Sequence, residues 1–180
     1  EDARNFHILL LAKNNIGYQN LIKLVSLAHL EGFYYKPRVD WELLEKYHEG
    51  LIASTACLGG EISSLILADR LEQAKKRILD YNNLFGQDNF YLEIMDHPEL
   101  DGQEKVNKQL IKFSKELNVP LIATNDIHYL DREDDDAQDI LLCLQNKKKL
   151  EDNDRMKMKG NGNYSCRDPK ELMEVFKDVP

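Results

Sequence analysis

Asn89-Phe-Tyr-Leu-Glu-Ile-Met95 and Pro120-Leu-Ile-Ala-Thr124 are short β-prone runs, and between them Val106, Leu110, Phe113 and Leu117 recur at helical spacing. Strand, amphipathic helix and strand within about forty residues make a βαβ unit. Its two strands are expected to be parallel, because the helix returns the chain to the end from which it started.

The same alternation extends upstream. His7-Ile-Leu-Leu-Leu-Ala12 is apolar almost throughout, the pattern of a strand buried on both faces. Tyr18, Leu21, Ile22, Val25 and Ala28 then mark one face of a helix, and Leu51-Ile-Ala-Ser-Thr55 reads as a second strand. Leu71, Ala74, Ile78, Tyr81 and Phe85 mark another helix, with Asp69 placed to cap it. Downstream, Asp131-Arg-Glu-Asp-Asp-Asp136 suits a helix start, where acids complement the positive end, and Ala137, Ile140, Leu141 and Leu144 continue that helix. The fold class is α/β, with a parallel sheet or barrel.

Residues 146–180 differ from the 1–145 portion. They open polar and basic, with Lys147, Lys148 and Lys149 in a row. Gly160-Asn-Gly162 between 156–159 and 163–167 predicts a small hairpin. Asp168-Pro169-Lys170-Glu171 then predicts a helix start, with Asp as cap, Pro at the first helical position and Glu two residues on. This trailing segment reads as the edge of a domain leading into something else.

Composition narrows the class. With 42% hydrophobic and 31% charged residues and only 9 Gly and 5 Pro in 180, the chain is neither collagen-like nor disordered. Its 24 Lys and Arg against 32 Asp and Glu leave a net charge of −8, which argues against a surface that grips nucleic acid through its own excess of cations. Carboxylates in excess do suit a metal-dependent site. The 3 cysteines, Cys57, Cys143 and Cys166, form no CxxC pair and leave one odd, so a reducing cytoplasm is expected rather than a disulfide framework. No apolar run approaches the ~20 residues of a membrane span, and no secretory pattern opens the sequence. The abrupt start without Met is expected of a piece of a longer protein.

The strongest chemical signal is Asn125-Asp-Ile-His128, at the end of the fourth expected strand, where ligand sites of parallel α/β folds gather. In an extended segment Asp126 and His128 point to one side, roughly 6.6 Å apart, and can reach one metal or two neighbouring ones. A carboxylate with an imidazole suits Zn or Mn. The competing reading makes Asp126 a turn cap and His128 a packed loop residue. Cys57, after the second strand in Ala53-Ser-Thr-Ala-Cys-Leu-Gly-Gly60, can ligate metal as a thiolate or serve as a small buried apolar group. Gly59-Gly60 lacks a phosphate-loop pattern.

His7 alone reads as a core or edge histidine. His29 and His48 suit the negative ends of helices, and His97 is a loop residue near the candidate site. Glu93 lies within an apolar strand, on a face open to solvent. No nucleophile elbow is present. Phe33-Tyr-Tyr-Lys-Pro-Arg38 mixes aromatic and basic groups that can stack on bases, though a packed loop is the simpler account.

Five blocks in this order carry a resemblance: His7-Ile-Leu-Leu-Leu-Ala-Lys-Asn14, Gly17-Tyr-Gln-Asn-Leu21, Gly32-Phe-Tyr-Tyr-Lys-Pro-Arg-Val-Asp40, Glu49-Gly-Leu-Ile52 and Thr124-Asn-Asp-Ile-His-Tyr129. The chain is similar to the PHP (polymerase and histidinol phosphatase) domain, in the form carried by the alpha subunit of bacterial replicative DNA polymerases. The long Gly-Phe-Tyr-Tyr-Lys-Pro-Arg block points to that branch rather than to free-standing histidinol phosphatases.

The resemblance implies a distorted (β/α)7 TIM-like barrel, here partial, with up to three divalent metals at the strand ends, Zn expected and Mn the alternative. It implies a phosphoesterase and, in some polymerases, a 3′→5′ exonuclease. Carried over by position, the metal ligands are His7, Cys57, Asp126 and His128, with Asp126 and His128 catalytic. The implied partners are DNA, through the parent polymerase, and other replicase subunits, with no membrane. The family's opening HxH motif, its following Asp and His, and an acidic ligand ahead of His7 are not among these 180 residues, so the match is to the later two-thirds of the domain. Two rivals stay open: an inactive scaffold that stabilises the polymerase and docks partners, and a small-molecule phosphatase. Exposed apolar edges predict self-association of the isolated chain.

Overall fold

The computed structural model of the chain describes residues 5–179. The elements run β1 (Leu9–Ala12), α1 (Asn15–Leu30), α2 (Trp41–Tyr47), β2 (Leu51–Ser54), α3 (Glu61–Leu67), α4 (Leu71–Phe85), β3 (Phe90–Met95), α5 (Gln103–Leu117), β4 (Leu121–Thr124), α6 (Asp135–Asn146) and α7 (Pro169–Val175). The strands form one mixed sheet in the order β1-β2-β3-β4. β2 and β3 are parallel, with Ala53 opposite Phe90. β3 reaches its neighbour β4 through α5, and the Leu92 N–H donates to the Pro120 carbonyl at 2.9 Å.

β1 departs from the expected parallel arrangement. It pairs antiparallel with β2, Leu9 opposite Ser54 and Ala12 opposite Leu51. One crossover helix gives a parallel neighbour, whereas the two helices α1 and α2 add a further reversal. Nor is β1 buried on both faces. It stands first in the sheet, and Leu9 and Leu11 remain 42% and 52% exposed.

The chain divides into two compact units: residues up to Glu93 with Lys112–Ile122, and Ile94–Ile111 with Ala123–Pro180. The first has an apolar interior of Leu24, Leu51, Ile62, Ile66, Ile78, Phe90 and Phe113. α4 buries Ala74, Ile78 and Phe85, as its spacing requires. Its N-cap is Arg70 rather than Asp69, which instead takes a left-handed conformation at φ 56°. α1 is capped by Asn14, whose side chain accepts from the Gly17 N–H. It buries Gly17, Leu24 and Ala28, while Tyr18, Ile22 and Val25 stay exposed. Backbone contact sets that face: a Cβ on Gly17 would stand 1.8 Å from the Gly50 carbonyl oxygen.

In the second unit, α6 follows a helical turn over Arg132–Asp134 whose Asp131 and Asp134 side chains form a reciprocal cap, as the acidic run suggested. It buries Asp139, Leu142 and Cys143 and leaves Ile140, Leu141 and Leu144 exposed. The expected apolar stripe therefore faces outward. The inward face is fixed by Arg155, which donates to both Asp139 carboxylate oxygens at 2.6 and 2.7 Å with both side chains buried. Residues on both sides of 145/146 belong to this unit. α7 starts where expected, with the Asp168 side chain accepting from the Lys170 N–H and Pro169 at the first helical position.

No hairpin forms between 156–159 and 163–167. The Asn161 N–H turns back to the Met158 carbonyl, and the following residues lie along the segment after β4 instead. The His128 N–H donates to the Tyr164 carbonyl at 2.8 Å, Tyr129 bridges Ser165 in parallel, and the Cys166 N–H donates to the Leu130 carbonyl. Backbone groups already satisfied there are lost to a hairpin. No helix among the described residues is long and apolar enough to cross a membrane.

Candidate metal centre

Each compact unit holds one pair of the four ligand candidates. In the first, the turn after β2 carries Cys57. Ala56 enters the left-handed region at φ 57°, and a Cβ on Gly60 would meet the Thr55 carbonyl oxygen at 2.2 Å. This tightness, not phosphate binding, accounts for the glycine pair. The His7 N–H donates to the Gly59 carbonyl at 2.9 Å, and a Cβ on Gly59 would approach His7 Nδ1 to 3.1 Å. His7 Nδ1 lies 3.4 Å from Cys57 Sγ. An imidazole and a thiol fifty residues apart in sequence thus touch, a contact compatible with shared coordination of a Zn-like ion.

In the second unit, Asp126 and His128 follow β4. Asp126 takes φ 49°, a left-handed conformation that Asp, like Asn, adopts more readily than most residues with a Cβ. His128 Nδ1 donates to the Asp126 carbonyl at 2.7 Å. A carbonyl only accepts, so Nδ1 carries a proton, which leaves Nε2 as the ring nitrogen that could meet a metal. Asp126 Oδ1 lies 3.9 Å from the same Nδ1, and both side chains are part-exposed. A carboxylate and an imidazole are donors of the kind that divalent ions take.

Other side chains support this pair. The Tyr164 ring stacks on His97 at 4.4 Å and meets His128 edge-on at 5.5 Å. Arg167 Nη1 donates to Asp96 Oδ2 at 2.6 Å and Nε donates to Asn125 Oδ1 at 3.1 Å. His97 is 1% exposed, and among the described residues neither ring nitrogen has a hydrogen-bond partner. Burial pushes its imidazole below the ordinary histidine range, against the opposing pull of Asp126. Gly162 is confined beside it, since a Cβ there would stand 2.8 Å from His97 Nδ1.

The remaining candidates serve the fold. His48 Nδ1 donates to the Glu45 carbonyl at the end of α2, and His29 stacks on Phe33. Glu93 is buried rather than solvated: Ser54 donates to its carboxylate, and its N–H donates to Thr55 Oγ1. The 33–38 loop is exposed at Phe33, Tyr34 and Tyr35, with Arg38 donating to the Tyr34 carbonyl and lying over its ring. Among the described residues, no three His, Cys, Asp or Glu side chains gather as an ion-holding group. Sequence reading missed Tyr164 and Arg167. Gly160-Asn-Gly162 pointed to a hairpin that does not form, and no local pattern marks Arg167.

The sequence model of the PHP domain matches residues 1–97, more than half of the chain, and the chain belongs to the PHP domain family. It is 51% identical over 98% of its length to DNA polymerase III subunit alpha of Borreliella burgdorferi. It is 44% identical over 98% to the same subunit of Treponema pallidum, and 44% over 99% to that of Thermus aquaticus. The chain spans only 15%, 15% and 14% of those relatives' lengths.

Proposed function

We propose that the chain is the PHP portion of a bacterial replicative DNA polymerase alpha subunit and contributes to a metal-dependent phosphoesterase site that trims DNA 3′ ends. The complete domain is a distorted (β/α)7 barrel in this reading, working in the cytoplasm with DNA and other replicase subunits as partners. The observation that carries it is the Asp126–His128 turn, in which the Nδ1 proton is committed to the Asp126 carbonyl and Nε2 is left to coordinate.

His7, Cys57, Asp126 and His128 would hold divalent ions, Zn by preference for the thiolate and imidazoles. A divalent ion so held supplies Lewis-acid activation of water and neutralises charge at a phosphodiester. Asp126 contributes the anionic donor. His128 orients its ring through the Asp126 carbonyl, so its Nδ1 proton is not available for transfer. No separate general base is assigned to this chain.

One observation favours the scaffold alternative, in which the domain only stabilises the polymerase: no three donors gather among the described residues. Elemental analysis of the full-length protein beside its Asp126→Asn variant separates the two. Two or three Zn or Mn per chain, fewer in the variant, with 3′→5′ hydrolysis lost in parallel, support the enzyme. No metal in either sample supports the scaffold. Hydrolysis of a phosphomonoester without action on a DNA 3′ end assigns a small-molecule phosphatase instead.

A further inference from the structure

We infer that Arg167 is a positioning residue for the Asp126–His128 pair, holding the turn after β4 in the conformation that presents both donors to a divalent cation. The inference rests on the metal reading above and adds to it a residue outside the four ligand positions.

The turn needs holding. Asp126 sits at φ 49°, a left-handed conformation that costs on the order of 1 kcal/mol for most residues with a Cβ and less for Asp, so ties on either side can settle it. The residues on either side are tied to the same strap. Asn125, immediately before Asp126, accepts from Arg167 Nε at 3.1 Å. His128, two residues after it, donates its N–H to the carbonyl of Tyr164, three residues before Arg167.

Arg167 also reaches Asp96, the residue directly after β3, through Nη1 at 2.6 Å. One guanidinium thereby links the residues that follow two neighbouring strands. Its side chain is only 9% exposed, so these bonds are sheltered from water. Pairing with Asp96 also offsets the Arg167 charge, which would otherwise repel a cation at Asp126. The geometry is specific to arginine. A lysine ammonium at this position is a point charge on a flexible stem and lacks the planar fork that spans Asp96 and Asn125 together. Tyr164, on the same strap, meets the His128 ring edge-on and limits its rotation.

The test is a Co2+ titration of the full-length protein, read by visible absorption, for the unaltered protein, Arg167→Lys, Asn125→Ala and Asp126→Asn. Arg167→Lys is expected to weaken Co2+ binding about 10- to 100-fold, the usual range for loss of a residue that orients metal ligands. It should also shift the ligand-field bands of the bound ion, which general destabilisation does not move. Asn125→Ala, which removes one of the two contacts, should weaken binding by a smaller factor, and it decides the matter if Arg167→Lys fails to fold. Unaltered affinity and spectrum in the folded Arg167 or Asn125 variant, with affinity lost in Asp126→Asn, would overturn the positioning role and leave the metal reading intact. Unaltered binding in Asp126→Asn as well would remove the metal reading and this inference with it.

Discussion

Both compact units bury polar side chains, Ser54, Thr55, Ser63 and Glu93 in the first and His97, Gln103, Asp139 and Ser165 in the second, but they differ in what surrounds them. The first packs branched and aromatic groups, Ile66, Ile78, Phe90 and Phe113, around β2 and α4. The second places the Asp139–Arg155 ion pair, His97, Gln103 and Ser165 beside Leu142, Met158 and Tyr164. Apolar burial is tolerant of exact arrangement as long as volume is kept, whereas buried polar groups demand particular partners at particular distances. The lesson is a division of labour within one short chain. The first unit sets a small Ser54–Thr55–Glu93 polar cluster in a large apolar interior, and the second ties the turn after β4 through Arg167.

Substitutions can break this contrast at either end. Phe113→Ala in the first unit should cost about 3–5 kcal/mol in denaturant unfolding, through lost burial and a residual cavity. A loss under about 1 kcal/mol would show that the apolar core matters less than its burial indicates. Arg155→Ala in the second unit leaves the Asp139 carboxylate buried without its partner. Hydrogen exchange should then lose most of its protection in α6 while α4 keeps its own, and equal loss in both would erase the distinction.

Acid sharpens the comparison further. The Arg155 hydrogen bond holds the Asp139 carboxyl below the ordinary carboxylate range. A group depressed in the folded state stabilises above its unfolded value, about pH 3.9, and that contribution is lost as pH falls through the folded value. Exchange measured down a pH series should therefore show α6 losing protection below about pH 4, a fall that Asp139→Asn removes. The smallest effect is expected from Leu144→Lys. Its side chain is 71% exposed despite its place on the apolar stripe, so stability should change by no more than about 0.5 kcal/mol. A loss above about 2 kcal/mol would restore the stripe as the buried face.

Much of the fold was legible. The β3–α5–β4 unit, the Asp168-Pro169 helix start and the acidic start before α6 are local signals and stand as read. What escaped depends on contacts distant in sequence. The α1 face follows the Gly17–Gly50 approach, and the α6 face follows Arg155, neither of which enters a helical periodicity. As candidates, Asp126 and His128 come from their spacing at a strand end and Cys57 from its place between a strand and a glycine pair. His7 needed the family likeness, and its contact with Cys57 is a tertiary fact. Arg167 was illegible because its partners, Asp96 and Asn125, lie 71 and 42 residues away.

The parallel bridge between Tyr129 and Ser165 also orders events in time. A ribosome delivers the chain from its amino end, so His7 and Cys57 can meet while the later residues are still unmade. The 128–130 backbone, by contrast, must wait for residues 164–166 to emerge before its hydrogen bonds can close. At about 5–20 residues per second, that delay is on the order of seconds. During it the Asp126 turn lacks its strap, and its final shape waits on residues made some forty positions later.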